Sequence, residues 1–188
     1  GTLTPLPPYR AGGFLDLRAI NDSGFIVGQR IAADGTPHAM SWRAVGAGWE
    51  VTDLQEGSQL LGRGQAVAVN NSDVVVGTVQ EIAWGWHDGE TFRPGGEGAQ
   101  SGTETRAING VGGILGLLSA GRGGGWRDGG WSEISALPGL RPSVDPYDLN
   151  DHGYAVGIST GRAFLWDAAH GTRDLTTLAG VPQEWNIV

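Results

Sequence analysis

The sequence predicts an all-β chain, a small β-propeller of four blades with four antiparallel strands each. Two observations predict it. One pattern recurs four times in register, and glycine makes up 34 of 188 residues, against a usual share of about 7%. With 39% hydrophobic residues, that much glycine marks a turn-rich β protein and not a linker.

The recurring segments are RAINDSGFIVG (Arg18 to Gly28), VAVNNSDVVVG (Val67 to Gly77), RAINGVGGILG (Arg106 to Gly116) and YDLNDHGYAVG (Tyr147 to Gly157). Their asparagines, Asn21, Asn70, Asn109 and Asn150, are 49, 39 and 41 residues apart. A tryptophan follows each by 16 to 21 residues, at Trp42, Trp86, Trp126 and Trp166. After the tryptophan come a polar turn (WHDGETF, WRDGGW, WDAAHGT) and a closing leucine- or isoleucine-bearing run.

Within a unit, Asn–x–x–Gly is a tight-turn signal, because Asn and Gly tolerate positive φ. Strand one therefore ends at the asparagine, strand two is GFIVGQ or its counterpart, strand three carries the tryptophan and strand four follows the second turn. Four short strands in about 43 residues match a propeller blade. The units run approximately 8–55, 56–97, 98–139 and 140–180, and no segment reads as a helix. The asparagines are expected to serve turn chemistry and the tryptophans inter-blade packing. Residues 2–7 (TLTPLP) resemble the closing run SALPG at 135–139. Either this piece clasps the last blade into a closed ring, the favoured expectation, or the chain is a slice of a longer array.

The absence of cysteine excludes disulfides, thiolate metal sites and cysteine nucleophiles. Twenty acids face twelve bases, all arginine, for a net charge of −8. An acidic chain without a basic stripe is a poor binder of nucleic acid or anionic membrane. No apolar run approaches the ~18 residues of a membrane span, and no signal-peptide pattern is found within the sequence. Gly-x-Ser-x-Gly, phosphate-loop and HExxH motifs are missing, and no cofactor or metal is expected.

Propeller geometry directs the search to the face bearing the longer strand-two/three and four/one connections. Five residues before each asparagine stand Asp16, Gln65, Glu104 and Asp145, and three before stand Arg18, Val67, Arg106 and Tyr147. With strand one innermost, Asp16, Glu104 and Asp145 ring the channel mouth as candidate acid/base groups. Arg18, Arg106, Tyr147 and Gln65 stand beside them as candidate ligand contacts. The competing reading makes Asp16–Arg18 and Glu104–Arg106 structural ion pairs, since residues two apart share a strand face. Arg30, Arg63, Arg122, Arg141 and Arg162 are either solvated loop charge, the favoured reading, or anion clamps on the same face, with His38 alongside. Tyr9, Trp84, Tyr147 and Trp185 fall outside the repeat register and either stack on a ligand or plug gaps at the termini.

The run A-I-N-D-x-G-x-x-V-G, then H/R-A-x-x-W, then D-L-x-x-L-x-G resembles the bacterial HAF repeat, an "extracellular repeat" family. Ala19 to Gly28 with His38, Ala39 and Trp42, and Arg162 to Trp166 with Asp174 to Gly180, carry it best. The family's histidine survives only at His38; Ile82, Arg122 and Arg162 hold the matching places. The resemblance implies a propeller-like form and a secreted or cell-envelope location, and brings no established catalytic residues. The favoured expectation is a binding module presenting its long-loop face to a glycan, small molecule or protein. The alternative is a small lyase, hydrolase or cyclase using the mouth carboxylates.

Overall fold

A computed structural model describes residues 5–7, 14–56, 62–94, 102–127, 129–139 and 143–178. Sixteen strands form four sheets, each of four antiparallel strands in chain order. The first blade holds β1 (Phe14–Ile20), β2 (Ile26–Ile31), β3 (Pro37–Val45) and β4 (Gly48–Asp53). The second holds β5 (Gly64–Val69), β6 (Val75–Val79), β7 (Ile82–His87) and β8 (Glu90–Phe92). The third holds β9 (Glu104–Ile108), β10 (Ile114–Leu118), β11 (Arg122–Arg127) and β12 (Gly130–Ile134). The fourth holds β13 (Val144–Leu149), β14 (Ala155–Ser159), β15 (Arg162–Asp167) and β16 (Gly171–Asp174). Helix among the described residues is confined to a turn at Ser119–Gly121 and to α1 (Leu175–Leu178). The all-β, four-blade, propeller-like architecture read from the repeat is thus present.

The first strands sit innermost: β1 lies against β5, β5 against β9, and β9 against β13. All four carry a bulge at the same place, leaving Arg18, Val67, Arg106 and Tyr147 without a partner on the second strand. An extra residue there bends the strand and sharpens its twist. The facing glycines explain why the repeat ends in Val-Gly or Leu-Gly. A Cβ on Gly28, Gly77, Gly116 or Gly157 would collide with the backbone carbonyl of Asp16, Gln65, Glu104 or Asp145 respectively.

Every repeat asparagine holds its own turn, and those of the first three blades have a second role that no single unit reveals. The side-chain oxygen accepts backbone N–H groups within the turn: Ser23 and Phe25 on Asn21, Ser72 and Val74 on Asn70, Gly113 on Asn109, His152 and Tyr154 on Asn150. In the first three blades Nδ2 also donates to the asparagine carbonyl of the following blade, Asn21 to Asn70 at 3.0 Å, Asn70 to Asn109 at 3.1 Å and Asn109 to Asn150 at 2.8 Å. Apolar side chains fill the seams beneath. Phe25, Val27, Leu54, Val75 and Trp84 pack between blades one and two, and Leu115, Leu137, Ala155 and Phe164 between blades three and four. Trp86 and Trp166 pack against these clusters, as inter-blade tryptophans should.

The ring closure favoured from sequence is not found among the described residues. Of the N-terminal piece residues 5–7 are described and form no strand, and no described element of blade four packs on blade one as the other neighbours do. Pro7 instead lies against the first blade, its carbonyl accepting the Trp42 Nε1–H at 3.0 Å. The consequences are read at equivalent positions. Leu17 is 48% exposed where Ala66 is fully buried, and Asn150 is exposed where the other three asparagines are buried. The exposed faces of Ile20 and Val156 belong to the same two ends.

Candidate functional site

The inner strands bring the predicted mouth residues into one band along the axis, and the bulge decides their pairing. Arg18 meets Asp16 at 2.7 Å. Arg106 meets Glu104 at 3.6 Å and, across the seam, Asp145 at 3.4 Å. Gln29 donates its side-chain N–H to Asp16 at 2.9 Å. All three carboxylates therefore face an arginine, the ion-pair arrangement weighed as the alternative to a free carboxylate ring. The groups are partly exposed and the contacts weak individually. Tyr147, half exposed, completes the band.

The loop-side bases do not converge. His38 pairs with Asp53 at 3.1 Å, Arg122 with Glu133 at 2.8 Å and Arg162 with Asp174 at 2.7 Å. This is one strand-three-to-strand-four pair repeated in blades one, three and four; blade two has Ile82 and Arg93 at those places. Asp174 is held below the ordinary carboxylate range chiefly by the Thr176 hydroxyl, with burial opposing and the Thr176 N–H and Arg162 adding to it. Arg30 is buried at 9% exposure. Trp84 is wholly buried in the seam between blades one and two and offers no face for stacking, because the alternation that aligned it with Trp86 turns both toward blade one. Tyr9, Arg141 and Trp185, with most of the long loops, lie outside the described residues.

Three of the predicted residues do meet in a cavity, Arg63, Gln65 and Glu104. A cleft of about 810 Å³ opens on the long-loop face across blades one to three. Sequence reasoning missed Gln29, Thr78, Gln80 and Glu81, which line it beside them. Gln80 and Glu81 form the turn between β6 and β7 with left-handed φ of 49° and 62°. The turn is locked from both sides: Gln80 N–H donates to the Arg63 carbonyl at 3.0 Å, and the Glu81 carbonyl accepts from Gly102 at 2.7 Å and Thr103 at 3.0 Å. The other three units place Gly35, Gly121 and Gly161 in this turn, so a missing glycine was the available signal. Among the described residues no group of His, Asp or Glu side chains is arranged to hold a metal ion, and no helix is long and apolar enough to cross a membrane.

No family model, no curated protein and no solved structure matches the chain.

Proposed function

We propose that the chain is a binding module whose long-loop cleft takes a polar, hydroxyl-rich ligand of the glycan class. The Gln80–Glu81 turn carries the reading. A left-handed residue with a Cβ costs roughly 1–2 kcal/mol where glycine costs little; units three and four bear that cost once, at Ala120 and Thr160, whereas this turn bears it twice, because Glu81 stands where they have Gly121 and Gly161 and brings a carboxylate to the cleft. Strain of this kind, fixed by surrounding hydrogen bonds, is a mark of sites kept for function. The remaining lining supports it: side-chain amides of Gln29 and Gln65, the Thr78 hydroxyl and the Arg63 cation are the donors and acceptors that sugar hydroxyls pair with. The pairing of Asp16, Glu104 and Asp145 with arginines favours binding over proton transfer by these groups. The HAF-repeat resemblance, and the secreted or envelope location it implies, are part of the same proposal.

Replacing Glu81 by glycine separates function from stability. Glu81→Gly is expected to raise the melting temperature while weakening binding to whichever member of a glycan panel the native chain retains, read by calorimetric titration. No binding across the panel, or binding indifferent to Glu81→Gly and Gln65→Ala together, would refute the proposal.

A further inference from the structure

The geometry points to a second binding site, on the opposite face between blades three and four, for a small aromatic carboxylate. The first seam supplies the template. There Phe25 packs beside Trp86, ring centroids 6.3 Å apart, and the Arg43 guanidinium sits 4.3 Å over the Phe25 ring. Arg43 is held in turn by Asp73 at 2.8 Å, and Asp73 also accepts from Asn21 Nδ2 at 2.6 Å. Ring, cation and carboxylate form one unit that plugs the seam.

In the third seam the cation and the tryptophan remain while the ring and the carboxylate are gone. Trp166 stands for Trp86 and Arg127 for Arg43, but Gly113 replaces Phe25 and Gly153 replaces Asp73. A cavity of about 400 Å³ results, with Gly113, Arg127, Gly153, Trp166 and Asn109 among its lining residues; Asp167 is also on its wall, its charge met by Arg173 and His170. That is within the size range of small-molecule pockets, roughly 300–1,000 Å³. Arg127 has no carboxylate partner among the described residues, and Asn109 Nδ2 donates there only to the Asn150 carbonyl. A molecule with one aromatic ring and a carboxylate one or two bonds away replaces what the two glycines remove. The ring lies between Trp166 and the guanidinium, a stacked cation–π arrangement, while the carboxylate takes a charge-assisted bond from Arg127 and the free N–H of Asn109. The second seam, with Val74 at the same position, is intermediate: its cavity is about 360 Å³, with Trp126 and Phe92 on the walls.

Phenylacetate is the probe, titrated into the intact chain with tryptophan fluorescence and NMR shifts as readouts. Saturable binding in the millimolar range is expected for so few atoms, with shifts centred on Trp166 and Gly113. Gly113→Phe fills the slot from within and should abolish binding while raising the melting temperature; Ala155→Val, which restores the Val75 of the first seam, should weaken it. Arg127→Gln should cost about tenfold for phenylacetate but little for phenylacetamide. A tripeptide ending in phenylalanine, with free or amidated terminus, separates a polypeptide C-terminus from a free acid as the source of the same chemistry. Absence of saturation, competition by acetate equal to that by phenylacetate, or binding unchanged in both Gly113→Phe and Ala155→Val would each overturn the assignment.

Discussion

The seam between blades one and two and the seam between blades three and four are built from one repeat and end in opposite states. Both have the asparagine staple, at 3.0 and 2.8 Å, and both bury an apolar cluster below it. They differ at the fourth residue after the asparagine, Phe25 in one and Gly113 in the other, and at the third residue in the facing blade, Asp73 in one and Gly153 in the other. A repeat can thus keep its frame through backbone-directed groups while side chains that touch only the neighbouring blade are free to vary. The frame is the asparagine and the bulge-facing glycine; the filling is what makes a seam solid or hollow.

Removing the filling of the solid seam should have the largest effect. Phe25, 3% exposed, leaves a void when cut to alanine, and Phe25→Ala is expected to destabilise by about 3–5 kcal/mol in denaturant unfolding. A loss below that of an exposed surface change would mean the two seams do not differ in the way described.

Next come the asparagines. Asn70→Ala strips a buried turn acceptor and a staple at once, for about 1–3 kcal/mol. Asn150, exposed and with its Nδ2 facing no further blade among the described residues, should cost clearly less when replaced by alanine. Equal losses at the two positions would show that the staple contributes nothing beyond the turn.

Acid should separate the seams as well. Burial pushes the Asp73 carboxyl up, but hydrogen bonds from Arg43, Asn21 and Ser23 and the charge of Arg43 outweigh it and hold the group below its ordinary value. A carboxyl depressed in the folded state stabilises the fold above its unfolded value, and this contribution is lost as pH falls through the folded one. The melting-temperature gap between native chain and Asp73→Asn should therefore be full near neutrality and close under strong acid. Gly153 leaves the third seam without a carboxylate at that place, so an NMR titration should show an acid-induced change at Phe25 that is lost in Asp73→Asn. The smallest effect belongs to the mouth: Arg18→Ala breaks an exposed pair and should change stability by about 1 kcal/mol or less.

Much of the fold was legible because its causes are local and periodic. Asn–x–x–Gly turns, alternating strands and a tryptophan on the third strand recur at fixed offsets, and each encodes its element through the backbone of its own unit. The ion pairs Asp16–Arg18 and Glu104–Arg106 were readable for the same reason, lying two residues apart on one strand. The Gln80–Glu81 turn was passed over, since a missing glycine is noticed only when four units are compared turn by turn. Trp84 was misplaced because sequence spacing gives a side chain's face and not what covers that face.

By itself, then, the sequence determined the strand count, the blade size, the turns and the positions that face a neighbouring blade, because all of these follow from short-range sterics and hydrogen bonding repeated four times. Tertiary structure alone decided the rest. Whether a residue facing its neighbour meets phenylalanine or empty space, whether a mouth carboxylate also reaches the arginine of another blade, and whether the last blade returns to the first depend on pairs of residues some 40 to 50 positions apart, as the asparagine staples are. Such contacts are set by how rigid sheets pack against each other, and the period of a repeat carries no information about that.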